Sequence, residues 1–168
     1  EWYGDTTIKQ SSYQYFYAKG RKYLVLNVQY QGDATVLAWA QDVIDDNPDL
    51  PTIVNTHCYF APDGSYEPYA NTIWNTLIND NSQVFMVLCG HHDSQGPKYN
   101  SRENAAGEIV HELMTDYQQT DYGGGYLRLL EFDEENSVIH ASAYSPYYDL
   151  YHDTYPYDTF DMALNFNA

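Results

Sequence analysis

Basic residues are scarce. Seven lysines and arginines stand against 24 acidic residues in a chain of 168, for a formal charge of −17 with the histidines neutral. A surface of that sign repels nucleic acid and anionic membranes unless cations intervene, so nucleic acid is not an expected partner. The acidity suits a salty or extracellular setting, or a need to hold cations. Cysteine is nearly lacking: Cys58 and Cys89 are the two present. They would pair as a disulfide if their strands lay adjacent, favouring an oxidising compartment; two free buried thiols are the alternative. No apolar run approaches the roughly 18 residues of a membrane-spanning helix. No Asn-x-Ser/Thr sequon, internal repeat or dividing linker occurs.

What the chain does have is tyrosine, 19 of them, within a total aromatic content of 17%. Tyrosine joins a large apolar body to a polar tip and suits half-buried strands and wet interfaces. At this length the chain fits one domain, 1–168, that can bury about two-thirds of its unfolded surface, so neither metal nor disulfide is needed merely to fold. It begins at Glu1 rather than Met, which leaves room for an upstream segment.

Five consecutive apolar residues, Val84-Phe85-Met86-Val87-Leu88, end in Cys89-Gly90-His91-His92-Asp93. A run with β-branched and aromatic members and no polar alternation predicts a strand buried on both faces. Three metal-ligand side chains directly after it stand at a strand's carboxyl end, where ligands and catalytic groups gather in open α/β sheets. Upstream, Tyr13 to Tyr17 and Tyr23 to Tyr30 predict strands. Val36, Leu37, Trp39, Ala40, Val43 and Ile44 then recur at helical spacing over Ala34 to Asn47, with Asp33 as cap and Pro48 as stop. Pro51 to His57 predicts a strand, Ala70 to Asn79 a helix, and Val84 to Cys89 a strand. The resulting βαβαβ order is that of right-handed crossovers and a parallel sheet, and it brings His57 and His91 out at the same edge.

Beyond that loop the pattern changes to antiparallel strands over Glu108 to Gln118, Tyr126 to Asp133 and Ser137 to Tyr144. A hairpin turn falls at Asp133 to Asn136. Phe160, Met162, Leu164 and Phe166 alternate as a last half-buried strand. The fold class is therefore α/β with α+β character. His111 and His140 lie inside antiparallel strands and read as solvated or satisfied, and His152 falls in a flexible-looking tail. The glycines 123 to 125 precede a strand and lack a following Lys-Ser/Thr, which argues against a phosphate loop. Asp63-Gly64 reads as a turn rather than a calcium loop.

Thr56-His57 after one strand and Gly90-His91-His92-Asp93 after the next resemble the last two metal-binding motifs of the calcineurin-like metallophosphoesterases, the group that includes purple acid phosphatases. His111-Glu112-Leu113, Asp116-Tyr117-Gln118, Gly124 to Leu130 and Tyr144-Ser145-Pro146 resemble the C-terminal end of secreted bacterial members. The resemblance implies two metal ions that clamp an in-line attack on phosphorus, held by oxygen and imidazole ligands; Fe, Zn, Mn and Mg are not distinguished. It assigns His57 and His91 to one metal. Asp93 stands where the family has the histidine that binds the other metal, and His92 occupies the variable place. Neither the family's Asp-x-His motif nor its Gly-Asn-His motif occurs before His57.

The resemblance therefore implies the second half of a metallophosphoesterase β-sandwich, secreted, and hydrolysing phosphate esters when an N-terminal half, as a separate or cleaved chain, completes it. The alternative is a non-catalytic extracellular assembly protein on the same scaffold, forming homo-oligomers through its tyrosine-rich strands. A tyrosine-lined carbohydrate-binding module is a weaker third, because βαβ order is unlike an all-β lectin sandwich.

Overall fold

The computed structural model describes residues 3–5, 10–92 and 96–164. Among the described residues eleven strands, two helical crossovers and a short 3-10 turn at Thr120–Gly123 build two sheets and one helical layer. β1 (Tyr3–Asp5), β2 (Ser12–Ala18), β3 (Arg21–Val28), β4 (Thr52–Thr56), β5 (Val84–Cys89), β6 (Lys98–Glu103) and β7 (Ile109–Met114) form the larger sheet, in the order β1-β2-β3-β4-β5-β7-β6. β8 (Leu127–Asp133), β9 (Val138–Ser145), β10 (Leu150–His152) and β11 (Phe160–Ala163) form the smaller one. In it β9 is central: β8 lines one edge, and β10 and β11 share the other end to end.

The expected βαβαβ unit is present. β3 pairs parallel with β4, and β4 with β5. The first crossover is α1 (Ala34–Asp45), whose first turn is capped by the Asp33 carboxylate accepting from the Thr35 and Val36 amides at 3.0 and 3.1 Å. The cap satisfies amides that no earlier carbonyl can reach. The second crossover starts as α2 (Pro68–Ile73), with proline in its first turn, and runs on into a π-helical turn at Trp74–Ile78. Both crossovers bury one face against the larger sheet: Leu37, Ala40, Ile44, Ile73, Leu77 and Ile78 pack on Leu24, Leu26, Val54 and Val87.

The other face of the larger sheet packs on the smaller one, where Tyr23, Ile53, Phe85, Met86 and Leu113 meet Ile139, Ala141, Met162 and Leu164. β5 reaches both layers through a bulge. Thr52 pairs with Val84 but Ile53 pairs with Met86, so Phe85 and Met86 both serve the inter-sheet core while Val84, Val87 and Cys89 face the helices. An uninterrupted apolar run conceals such a bulge, since every residue in it is buried whichever way it points.

Two expectations need correction, and a third is covered only in part. The stretch around His111 does not join the later antiparallel strands but belongs to the larger sheet: β7 pairs parallel with β5 on one side and antiparallel with β6 on the other, β6 being a half-exposed edge strand whose polar sequence, KYNSRE, carries no apolar alternation. The segment around His152 is ordered by contacts, because Asp158, wholly buried, accepts from Tyr117 Oη (2.8 Å) and the Tyr155 amide (2.6 Å) and lies 2.6 Å from His152 Nδ1. Arg128 donates to the carbonyls of Tyr157 and Asp158 at 2.6 and 2.7 Å, closing that turn. The last strand ends at Ala163, and the expected Phe166 lies outside the described residues. Cys58 and Cys89 are free and buried. Among the described residues no helix is long and apolar enough to cross a membrane.

His111 ties the two sheets together. Its Nε2 lies 2.7 Å from the Ala163 carbonyl, which can only accept, so that nitrogen carries the proton and Nδ1 accepts from Tyr99 Oη at 3.0 Å. Burial pushes its pKa below the ordinary 6.5. The folded state therefore binds this proton less readily than the unfolded chain, and its contribution to stability is full above the unfolded pKa and is lost as the pH falls below it. Urea unfolding at about pH 7.5 and about pH 5 should show a larger loss of stability in the wild type than in His111→Gln, with a slope difference of at most about 1.4 kcal/mol per pH unit. Equal losses would show that His111 protonates freely in the fold.

Candidate functional site

Four strands of the larger sheet, β3, β4, β5 and β7, run parallel, so Val28, Thr56, Cys89 and Met114 end at one edge. The residues that follow them make the site. His57 follows β4 and His91 follows β5 by one glycine, and the Gly90 amide donates to the His57 carbonyl at 3.2 Å, joining the two loops. The imidazole centroids of His57 and His91 stand 4.6 Å apart, as the strand order demands. Tyr30, beyond the end of β3, lies 5.5 Å from the His57 ring and 6.1 Å from that of His91. His91 has φ +78°, a region that residues with a side chain rarely adopt, at a cost of order 1–3 kcal/mol. Its ring is thus held beside His57 by a strained backbone.

A cleft of about 370 Å³ opens next to this pair, lined by Asn27, Val28, Asn55, Thr56, His57 and Gly90 together with Gln10. Asn27 and Asn55 are register partners on β3 and β4, and the Asn55 amide donates to Asn27 Oδ1 at 3.0 Å. Thr56 Oγ1 is buried at the cleft wall with no hydrogen-bond partner.

His92, the residue expected to be the least committed ligand, is half-buried and turned toward Glu67, with Nε2 at 3.5 Å from Oε1. Its ring centroid is 4.4 Å from that of His91. The structure also brings in Cys58, buried immediately after His57. One ligand atom each from Cys58, His91 and His92 lie within 4.8 Å of one another. Asp93 lies outside the described residues. His111, His140 and His152 stand away from this edge in bonds of their own, with His140 Nδ1 2.7 Å from Asp161 Oδ1. Sequence reasoning passed over Cys58 and Glu67: a single cysteine next to a histidine, and a glutamate ahead of a helix, have no ligand spacing of their own.

Beneath the site a buried ion pair anchors the loop that follows His57. Glu112 on β7 has a wholly buried side chain, and its Oε1 accepts from Arg102 Nη2 (2.7 Å), Arg102 Nε (2.9 Å) and Tyr59 Oη (2.7 Å). Its Oε2 accepts from Tyr66 Oη at 2.6 Å. Burial first, then the neighbouring carboxylate, raises the Tyr59 hydroxyl far above its ordinary value and pushes Tyr66 up to about 12. Both phenols therefore stay protonated and donate. The Arg102 guanidinium also lies 3.7 Å above the Trp74 ring and 4.1 Å above that of Tyr66. Burial pushes Cys89 up to about 12 and raises Cys58, with Glu67 adding to the latter. In the absence of a cation both are thiols at neutral pH.

No known family signature matches the chain. It is 32% identical over 163 residues to the uncharacterized protein YvnB of Bacillus subtilis strain 168. That similarity covers 91% of this chain and 13% of YvnB, so the chain spans a small fraction of the length of the curated relative it matches.

The ion pair sets a clear expectation. Arg102→Met leaves the Glu112 carboxylate buried without its cation, and urea unfolding should show a loss of about 3–5 kcal/mol, several times that of an exposed charge deletion. A loss below about 1 kcal/mol would mean that the two tyrosines alone compensate the buried charge.

Proposed function

We propose that the chain is the C-terminal portion of a secreted, metal-dependent phosphoesterase that hydrolyses phosphate esters when completed by an N-terminal portion. The observation that carries this reading is the convergence of His57 and His91, from adjacent parallel strands, on one sheet edge beside a polar cleft. Two imidazoles at that spacing fit the donor set of one ion, and His57 and His91 would hold it. Asp93 would offer a carboxylate to a second. Bound there, such ions activate water and polarise phosphoryl oxygens. The roles left to this chain are binding and orientation: Asn27, Asn55 and His57 line the cleft that an incoming anion, otherwise repelled by the chain's acidic surface, would enter. The remaining wall and the remaining ligands belong to the N-terminal portion.

A second reading, a non-catalytic assembly protein, draws on the exposed face of the smaller sheet. Tyr122, Tyr147, Tyr151, Leu127, Leu129 and Leu150 are all exposed there or in its connections. Self-association with no metal uptake would favour it.

The discriminating measurement uses the chain together with its N-terminal portion, a chromogenic phosphate ester, and Mn²⁺, Zn²⁺ or Fe in turn. Hydrolysis should appear in the completed protein and His91→Ala should lower kcat/KM by roughly 100-fold or more. A completed protein that takes up metal yet hydrolyses no phosphate ester would refute the enzymatic reading.

A further inference from the structure

We propose that Cys58, His91 and His92 form a site for a single zinc-type divalent ion, with Glu67 as the carboxylate that orients His92. This site differs from the pair of imidazoles assigned above: it uses a thiolate, it shares His91 alone with that pair, and it needs no second chain.

The geometry comes from the backbone. Cys58 and His57 are successive residues, and they part company at the end of β4: His57 is exposed at the edge, whereas Cys58 is 2% exposed and points inward. The Gly90 amide to His57 carbonyl bond holds the following loop against this point, and the chain then presents two successive imidazoles. Ligand atoms of Cys58, His91 and His92 lie within 4.8 Å of one another. A tetrahedral zinc ion places sulfur and nitrogen ligands about 3.3–3.6 Å apart, so modest side-chain rotation closes the site.

Glu67 supplies an independent argument. Its Oε1 lies 3.5 Å from His92 Nε2, within reach to accept that nitrogen's proton if the ring binds an ion through Nδ1. A carboxylate behind a ligating imidazole is a common outer partner of zinc histidines, fixing both tautomer and ring plane. The side-chain exposures of His92 and Glu67, 24% and 33%, place this pair at the surface end of the site, with the cysteine at its closed end.

The donor set selects the ion. One thiolate and two imidazoles suit Zn²⁺ and its spectroscopic substitute Co²⁺, and they are poor ligands for Mg²⁺ or Ca²⁺. On binding, the Cys58 thiol gives its proton to solvent and sulfur donates to the metal, with no change of oxidation state. Three protein ligands leave the fourth position to water or to a ligand arriving from the His57 side.

Cobalt titration of the reduced chain tests this. One equivalent of Co²⁺ should give an intense thiolate-to-cobalt charge-transfer band in the near ultraviolet and visible bands of a tetrahedral centre, displaced by Zn²⁺. Cys58→Ser should abolish the charge-transfer band, and Glu67→Gln should weaken binding by roughly 10- to 100-fold while retaining it. The wild-type spectrum decides the matter even if the serine variant folds poorly. Cobalt bound without a thiolate band, and lost in His57→Ala, would overturn this inference and leave the phosphoesterase reading standing. Failure of the reduced chain to bind cobalt would also overturn it, whereas the phosphoesterase reading is judged separately on the completed protein.

Discussion

Parallel pairing of β4 with β5 is the constraint on which the rest depends. Parallel neighbours cannot be joined by a tight turn, so the chain must cross over the sheet between them, and the helical segment 68–78 does so while burying Ile73, Leu77 and Ile78 on it. The same pairing aligns the two carboxyl ends. Without it His57 and His91 would have no reason to meet, since 33 residues of chain separate them and the intervening helix packs elsewhere.

The larger sheet is buried on both faces across β4, β5 and β7, by helices on one side and by the smaller sheet on the other. That double burial explains two costly features. Glu112 sits on the helical side, and a carboxylate in such a place persists only with a cation and donors around it, which Arg102, Tyr59 and Tyr66 provide. His111, the preceding residue, points to the opposite face and spans the gap between the sheets through Tyr99 and the Ala163 carbonyl. Adjacent polar residues on one buried strand thus fasten the two layers to the same element. Tyrosine serves both clusters for one reason: its ring fills apolar volume while its hydroxyl reaches a buried polar partner.

At the edge above these layers the electrostatics follow from distance to water. Cys58 and Cys89 are withdrawn from solvent and held as thiols, whereas His57 and His91 are exposed and His92 is half-covered against Glu67. Soft and borderline donors lie inside and carboxylate lies at the rim. The similarity to YvnB extends over most of this chain and a small part of that protein.

Much of this was legible in the chain itself. Helical periodicity with Asp33 before it located α1, and the apolar run before Gly90 located β5; both signals are local, because a cap and a buried strand are recognised by neighbouring residues. The βαβαβ order carried the inference that His57 and His91 share an edge. Less was legible where the decisive partner is distant in sequence. β6 is polar and half-exposed, and only its pairing with β7 makes it a strand; β7 joined the parallel set by choosing β5 as neighbour, a choice no local pattern records. The bulge at Phe85, the burial of His152 against Asp158, and the approach of Cys58 and Glu67 to His92 belong to the same class. The sequence by itself determined where α1 and the buried strand β5 lie and which edge bears the histidines, because those follow from short-range periodicity and crossover handedness. Tertiary structure alone decided which side chains join them, because packing the two sheets and the helical layer sets distances between residues that the chain keeps far apart.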